Sequence, residues 1–163
     1  MVGSVKGTAG AVLYDAGVPY FVCPRCAFRE AGHERRVRHQ PPGCAPCGFG
    51  FSFELLEDFY AGPRCGLIVT DAQRRVLVAG HGSFAATGFR EEDLLGREVS
   101  EALALEFADG GDQVALSLEG GVRRLAVPCR FRPRGSARAV DSHCDLFPAY
   151  DDDGGLMVAL TPA

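Results

Sequence analysis

The sequence predicts an α+β protein in two unequal parts: a small cysteine-rich module, then an antiparallel sheet carrying short helices. Three observations lead there. Four of the seven cysteines fall in two close pairs, Cys23-x2-Cys26 and Cys44-x2-Cys47. From about residue 63 onward, short apolar runs alternate with polar turns in the manner of hairpins. The helix-like stretches among them are cut short by glycines, so each is a few turns at most.

The chain has 163 residues, a length that suits one ordinary domain, or a domain of roughly 100 residues with a small module attached. No segment approaches the ~20 apolar residues of a membrane-spanning helix. The N-terminus lacks a secretory pattern, because Val12-Leu13 is too short an apolar core and no small-residue cleavage site follows a charged start. The expected location is the cytoplasm, with no membrane partner. The net charge of −4 is uneven: residues 1–50 hold six basic against three acidic side chains, a net +3, which leaves −7 for the remainder. A basic module joined to an acidic domain presents two surfaces suited to different partners.

Residues 1–17 are rich in Gly and Ala without a sustained period and are expected to be a mobile N-terminus. Residues 18–50 form the metal module. Val18–Val22 leads as a short strand into the first cysteine pair. Two residues between cysteines let both thiolates of a tight turn face one ion, and two such turns close a tetrahedral site. The spacing Cys23-x2-Cys26-x17-Cys44-x2-Cys47 is that of a zinc ribbon. In so small a module the metal largely supplies the fold, since structural zinc contributes about 10–16 kcal/mol in isolated fingers. Without an export signal, paired cysteines favour metal over disulfides.

Both turns also resemble the knuckles of rubredoxin-like domains, with Ala27 where those domains usually have glycine. Iron is therefore the alternative to zinc, since tetrathiolate sites hold either metal. A c-type haem is disfavoured because Ala27 and Gly48, not histidine, follow the pairs. His33 and His39 read as exposed loop residues. Arg29, Arg35, Arg36 and Arg38 form a basic hairpin that would suit phosphates. Glu30 and Glu34 dilute it and no aromatic side chains are interleaved, so a solvated face ranks above a nucleic-acid surface.

Phe51, Leu55 and Phe59 fall at i, i+4 and i+8, with Leu56 beside them. That spacing predicts an amphipathic connecting helix over 51–62, burying its stripe against the following sheet or a second copy's equivalent helix.

The remaining residues, 63–163, read Gly66–Thr70 as a strand, a polar turn, Val76–Ala79 as a strand, then Ser83 as an N-cap of a short helix ended by Gly88. Glu91–Leu95 is a single turn closed by Gly96. The order GLIVTD, turn, RVLVAG, SFAATGF and EEDLLGR resembles a PAS domain, with Phe89 standing for the tyrosine of its signature and Leu94, Gly96 and Arg97 matching directly. The resemblance implies a five-stranded antiparallel sheet with short helices on one face, an N-terminal flanking helix and a ligand pocket. Candidate pocket residues are His81, Phe84, Phe89, Cys129, Phe131 and Cys144. Helices are expected over Glu98–Leu105 and Asp112–Leu118. Leu125, Val127, Cys129 and Phe131 alternate onto one strand face, with Pro128 marking a bulge or unpaired position. Val140–Leu146 and Leu156–Leu160 complete the sheet, the acidic turn Asp151–Asp153 lying between them.

Cys129 and Cys144 are expected on inward positions of neighbouring strands, as two small buried hydrophobes or, alternatively, a redox pair. The resemblance leaves room for an unidentified small molecule, haem or flavin. Yet Asp112–Leu118 holds no axial histidine, and Gly96-Arg97-Glu98-Val99 lacks the cysteine of light-sensing flavin relatives. No P-loop, H-E-x-x-H or nucleophile–base motif is present. The expectation is a non-enzymatic sensory or regulatory module acting through ligand or redox sensing, as a homodimer or through a separate effector protein. An iron electron-transfer protein and a zinc-ribbon nucleic-acid-binding regulator are the alternatives.

Overall fold

The computed structural model describes residues 20–31, 43–55, 59–149 and 155–163. The expected mobile segment 1–17, the hairpin residues His33, Glu34, Arg35, Arg36, Arg38 and His39, Leu56, and the acidic turn 151–153 lie outside the described residues. Two antiparallel sheets carry the fold. The smaller has the order β2-β1-β3, built from β1 (Tyr20–Val22), β2 (Arg29–Ala31) and β3 (Phe53–Leu55). The larger has the order β5-β4-β9-β8-β7-β6, from β4 (Gly66–Asp71), β5 (Val76–Ala79), β6 (Glu106–Phe107), β7 (Arg124–Phe131), β8 (Val140–Pro148) and β9 (Gly155–Pro162). It has six strands where five were expected, because the two-residue β6 pairs with the outer edge of β7.

Among the described residues there are four short helices, α1 (Ser83–Thr87), α2 (Glu91–Leu94), α3 (Val99–Leu103) and α4 (Gln113–Gly120); glycines close α1 and α4 and follow α2 at Gly96, whereas α3 ends at Ala104 in the left-handed conformation. Asp112 caps α4 by accepting the Ala115 N–H, and Gly121 closes it in the left-handed conformation. The cap of α1 is Gly82, not Ser83, whose hydroxyl instead donates to the Gly80 carbonyl. Gly82 has φ 68°, and a Cβ there would stand 2.1 Å from the Cys65 carbonyl oxygen. Only glycine fits.

The central strands of the larger sheet, β4 and β9, are buried on both faces. Ile68, Leu156, Val158 and Leu160 join Leu94, Val99, Leu103 and Val114 in a helix-side core. Leu67, Val69, Met157 and Ala159, on the opposite face, pack with Val22, Phe53, Leu55 and Phe59 of the N-terminal module. This explains the unbroken apolar run of β9, since a strand covered on both faces has no polar side to show.

The expected helix over 51–62 is corrected. Phe53–Leu55 is a strand pairing with β1 in the register Tyr20↔Leu55, Phe21↔Glu54, Val22↔Phe53. The stretch Phe51-Ser52-Phe53-Glu54-Leu55 alternates as well as it steps by four, and its aromatic content favours the pleated form. A free edge of β1 then takes it up. Leu55 and Phe59 are buried within the chain, and Phe51 is half-buried beside them. None of the three is a free helix face offered to a second copy.

The bulge expected at Pro128 lies earlier. The β7–β8 register shifts between Arg124 and Val127, with Ala126 at φ 51°, while Pro128 pairs with His143. The shift turns Leu125 to solvent, 50% exposed, and leaves Cys129 and Phe131 facing the core.

Candidate metal centre

Each cysteine pair sits in a turn of the same construction. In the first, the Ala27 N–H donates to the Cys23 carbonyl (2.8 Å) and the Cys23 N–H to the Phe28 carbonyl (2.9 Å). In the second, the Gly48 N–H donates to the Cys44 carbonyl (2.9 Å) and the Cys44 N–H to the Phe49 carbonyl (2.8 Å). Ala27 and Gly48 occupy equivalent left-handed positions, φ 61° and 75°. The alanine therefore adopts the glycine conformation despite its Cβ. The first turn is itself the hairpin joining β1 to β2, and the second feeds β3. Pairing β3 to the other edge of β1 brings the two turns face to face.

Cys23, Cys26, Cys44 and Cys47 converge as expected, each offering its sulfur within 4.8 Å of all the others. The contacts Cys23–Cys47 and Cys26–Cys44 are 3.6 Å. A tetrahedral ion bound at ~2.3 Å to four sulfurs sets them about 3.8 Å apart, so these two contacts are near coordination spacing. Cys23 and Cys44 are buried, Cys26 is half-buried and Cys47 is exposed. Burial pushes the Cys23 thiol up to about 12, against N–H groups of Cys26 and Arg25 that favour its thiolate. Burial likewise raises Cys44, while the Phe49 N–H holds Cys47 down at about 7. Backbone donors aimed at sulfur are the outer support a thiolate–metal site requires. The donor set fits zinc, and it fits iron equally.

The first turn docks on the larger sheet. The His81 N–H donates to the Pro24 carbonyl (3.0 Å), and a Cβ on Gly80 would stand 2.0 Å from that oxygen. Arg25 reaches the Glu91 carboxylate at 3.3 Å and lies over the Phe49 ring, 5.0 Å from its centroid. Glu91 also accepts the Ala79 N–H (3.0 Å), which occupies a donor at the outer edge of β5. Arg29 stacks between Tyr20 and Tyr60. Sequence reasoning missed Arg25, Phe49, Gly80 and Glu91. The only local signal was the pair of glycines flanking His81.

Of the expected pocket residues, Cys129, Phe131 and Cys144 come together in the helix-side core, with Phe89 packed against it. Phe84 is corrected: α1 buries Ser83 and Thr87, one turn apart, and leaves Phe84 59% exposed. His81 is held by its main chain at the junction with the first cysteine turn. Cys144 pairs with Val127, and Cys129 with Ser142, so the two thiols are diagonal neighbours. The contact with Cys129, and then burial, push the Cys144 thiol well above its ordinary range. A polar cleft of about 440 Å³ lies elsewhere, lined by Gln73, Arg75, Gly96, Arg97, Glu98 and Glu101.

The larger sheet with its helices has the fold of a PAS domain. It is similar to the PAS domain of nitrogen regulation protein NR(II) from Vibrio parahaemolyticus, with TM-score 0.51 and 10% identity, over 63% of this chain and 93% of that one. The PAS domain of an HTR-like protein from Haloarcula marismortui matches with TM-score 0.49 and 17% identity, over 63% and 90%. No protein-family model and no curated protein matches the sequence. Fold and site together define a PAS-fold domain whose second sheet face is covered by a four-cysteine module. Among the described residues, no helix is long and apolar enough to cross a membrane.

Proposed function

We propose that the chain is a non-enzymatic sensory or regulatory PAS module whose four-cysteine site is a zinc ribbon holding one structural zinc ion. The carrying observation is the convergence of four thiols on a module packed against a PAS-type sheet. The structurally similar domain from Vibrio parahaemolyticus belongs to a nitrogen regulation protein, which favours a regulatory role here. The zinc site staples the three-stranded sheet, whose three-residue strands bury too little surface to fold alone. The helix-side core around Cys129, Phe131 and Cys144 is the place a small ligand, haem or flavin would have to open. Output passes through a homodimer or a separate effector in the cytoplasm. Such a contact uses surfaces other than Phe51, Leu55 and Phe59, which the chain already packs against its own sheet.

A second reading, iron-based electron transfer, draws support from the exposure of Cys47, which brings one sulfur to the surface. Nucleic-acid binding draws less, because Arg25 and Arg29 are engaged within the chain. Metal content and the absorption spectrum of untreated protein test the proposal. A colourless protein with one zinc per chain supports it. The visible bands of ferric tetrathiolate would replace it with the iron reading.

A further inference from the structure

Arg25 links the four-cysteine site to the PAS-type sheet through three separate contacts. Its N–H donates to the Cys23 sulfur. Its guanidinium lies over Phe49, the residue whose own N–H donates to the Cys47 sulfur. The same guanidinium pairs with Glu91 at the start of α2. One residue, through its main chain and its side chain, thus spans both cysteine turns and the first residue of α2. Glu91 in turn holds the Ala79 N–H of β5. One residue earlier in the turn, the Pro24 carbonyl accepts the His81 N–H, and Gly80 leaves no room for a side chain between them.

These contacts converge on one small region, the β5 edge and the start of α2. The rest of β5's outer edge is occupied from within the larger domain, where the Val76 N–H donates to the Arg97 carbonyl and the Val76 carbonyl accepts the Gly96 N–H. At His81 the acceptor is the Pro24 carbonyl of the first cysteine turn, and at Ala79 it is Glu91, which is shared with Arg25 of that turn. The two cysteine turns are held face to face by whatever joins the four sulfurs.

We propose that metal occupancy of the four-cysteine site controls the β5 edge and α2 of the PAS-type domain, through Arg25–Glu91 and Pro24–His81. The site is then an input to the sensor domain as well as a staple for its own module. This rests on the metal reading above. A bound zinc ion keeps Arg25 over Phe49 and Glu91 under the Ala79 N–H. Loss of zinc frees Arg25, releases the Ala79 and His81 amides, and opens a strand edge that another chain can pair with.

Amide hydrogen exchange on the full chain tests this, comparing protein as purified with protein stripped by a chelator under reducing conditions. Metal loss should speed exchange at Ala79 by about tenfold, the scale expected for losing a hydrogen bond to a charged group, and at His81, whose acceptor is a neutral carbonyl, by roughly threefold. Amides of β7 and β8 at Cys129, Phe131 and Cys144 should change far less. In Arg25→Ala, which keeps all four ligands, the Ala79 response should shrink while the His81 response persists. Unchanged protection at both amides in a protein that verifiably lost zinc would overturn the inference and leave the metal reading standing. Equal loss across β7 and β8 would also overturn it, because the ion would then be a structural staple only. A chain that neither contains nor takes up zinc would remove the metal reading and the inference together.

Discussion

Ala27 shows how the cysteine turns constrain single residues. It holds φ 61° because the cysteine turn demands the conformation that Gly48 takes in its counterpart. A left-handed L-residue costs about 1–2 kcal/mol, partly offset by the roughly 0.5–1 kcal/mol that glycine loses in chain entropy. Ala27→Gly should therefore stabilise the zinc-loaded protein by up to about 1 kcal/mol, read as a rise in the denaturant midpoint without a change in slope. A lowered midpoint would show that the two turns are not equivalent. The cysteines themselves were legible, because metal spacing is local in sequence. Arg25 and Glu91 were not, because their pairing spans 66 residues and nothing near either one announces it.

At the scale of elements, the segment after Gly50 shows where periodicity misleads. Phe51, Leu55 and Phe59 step by four, yet Phe51, Phe53 and Leu55 also alternate, and a nine-residue window cannot separate the two periods. The unpaired edge of β1 decides for the strand. Leu55 is then buried between two sheets, 4% exposed, among Phe53 and Phe59. Leu55→Ala should cost about 2–5 kcal/mol, the range for emptying a core leucine site. An effect near zero in the unfolding midpoint would mean that this strand does not pack as described. The bulge before Val127 was similarly hidden: Pro128 suggested an irregularity, but the positive φ fell on Ala126, a residue with no turn chemistry to mark it. By contrast β4, β5 and the EEDLLGR turn were plain in the sequence, since glycine and acidic punctuation bounds each of them.

Across the whole molecule, the four-cysteine module is part of the domain's construction. It covers the face of the larger sheet formed by Leu67, Val69, Met157 and Ala159. Removing the metal should loosen that cover. Stripped, reduced protein should bind ANS and keep most of its strand content by far-UV circular dichroism, as expected when a packed apolar face opens while the larger sheet persists. Restored zinc should reverse both effects. ANS binding unchanged by chelation would show that the cover holds without an ion. The overall architecture was legible because a four-cysteine spacing and a hairpin-rich domain are both local patterns. The way they pack was not, since it depends on which face of β4 and β9 remains free after the helices have docked.

The central claim is that four thiolates of one chain hold a single tetrahedral zinc ion. X-ray absorption at the zinc edge of protein as purified tests it most directly. The proposed zinc site predicts one shell of four sulfurs at about 2.3 Å. A shell containing nitrogen or oxygen at ~2.0–2.1 Å, or fewer than four sulfurs, would contradict it.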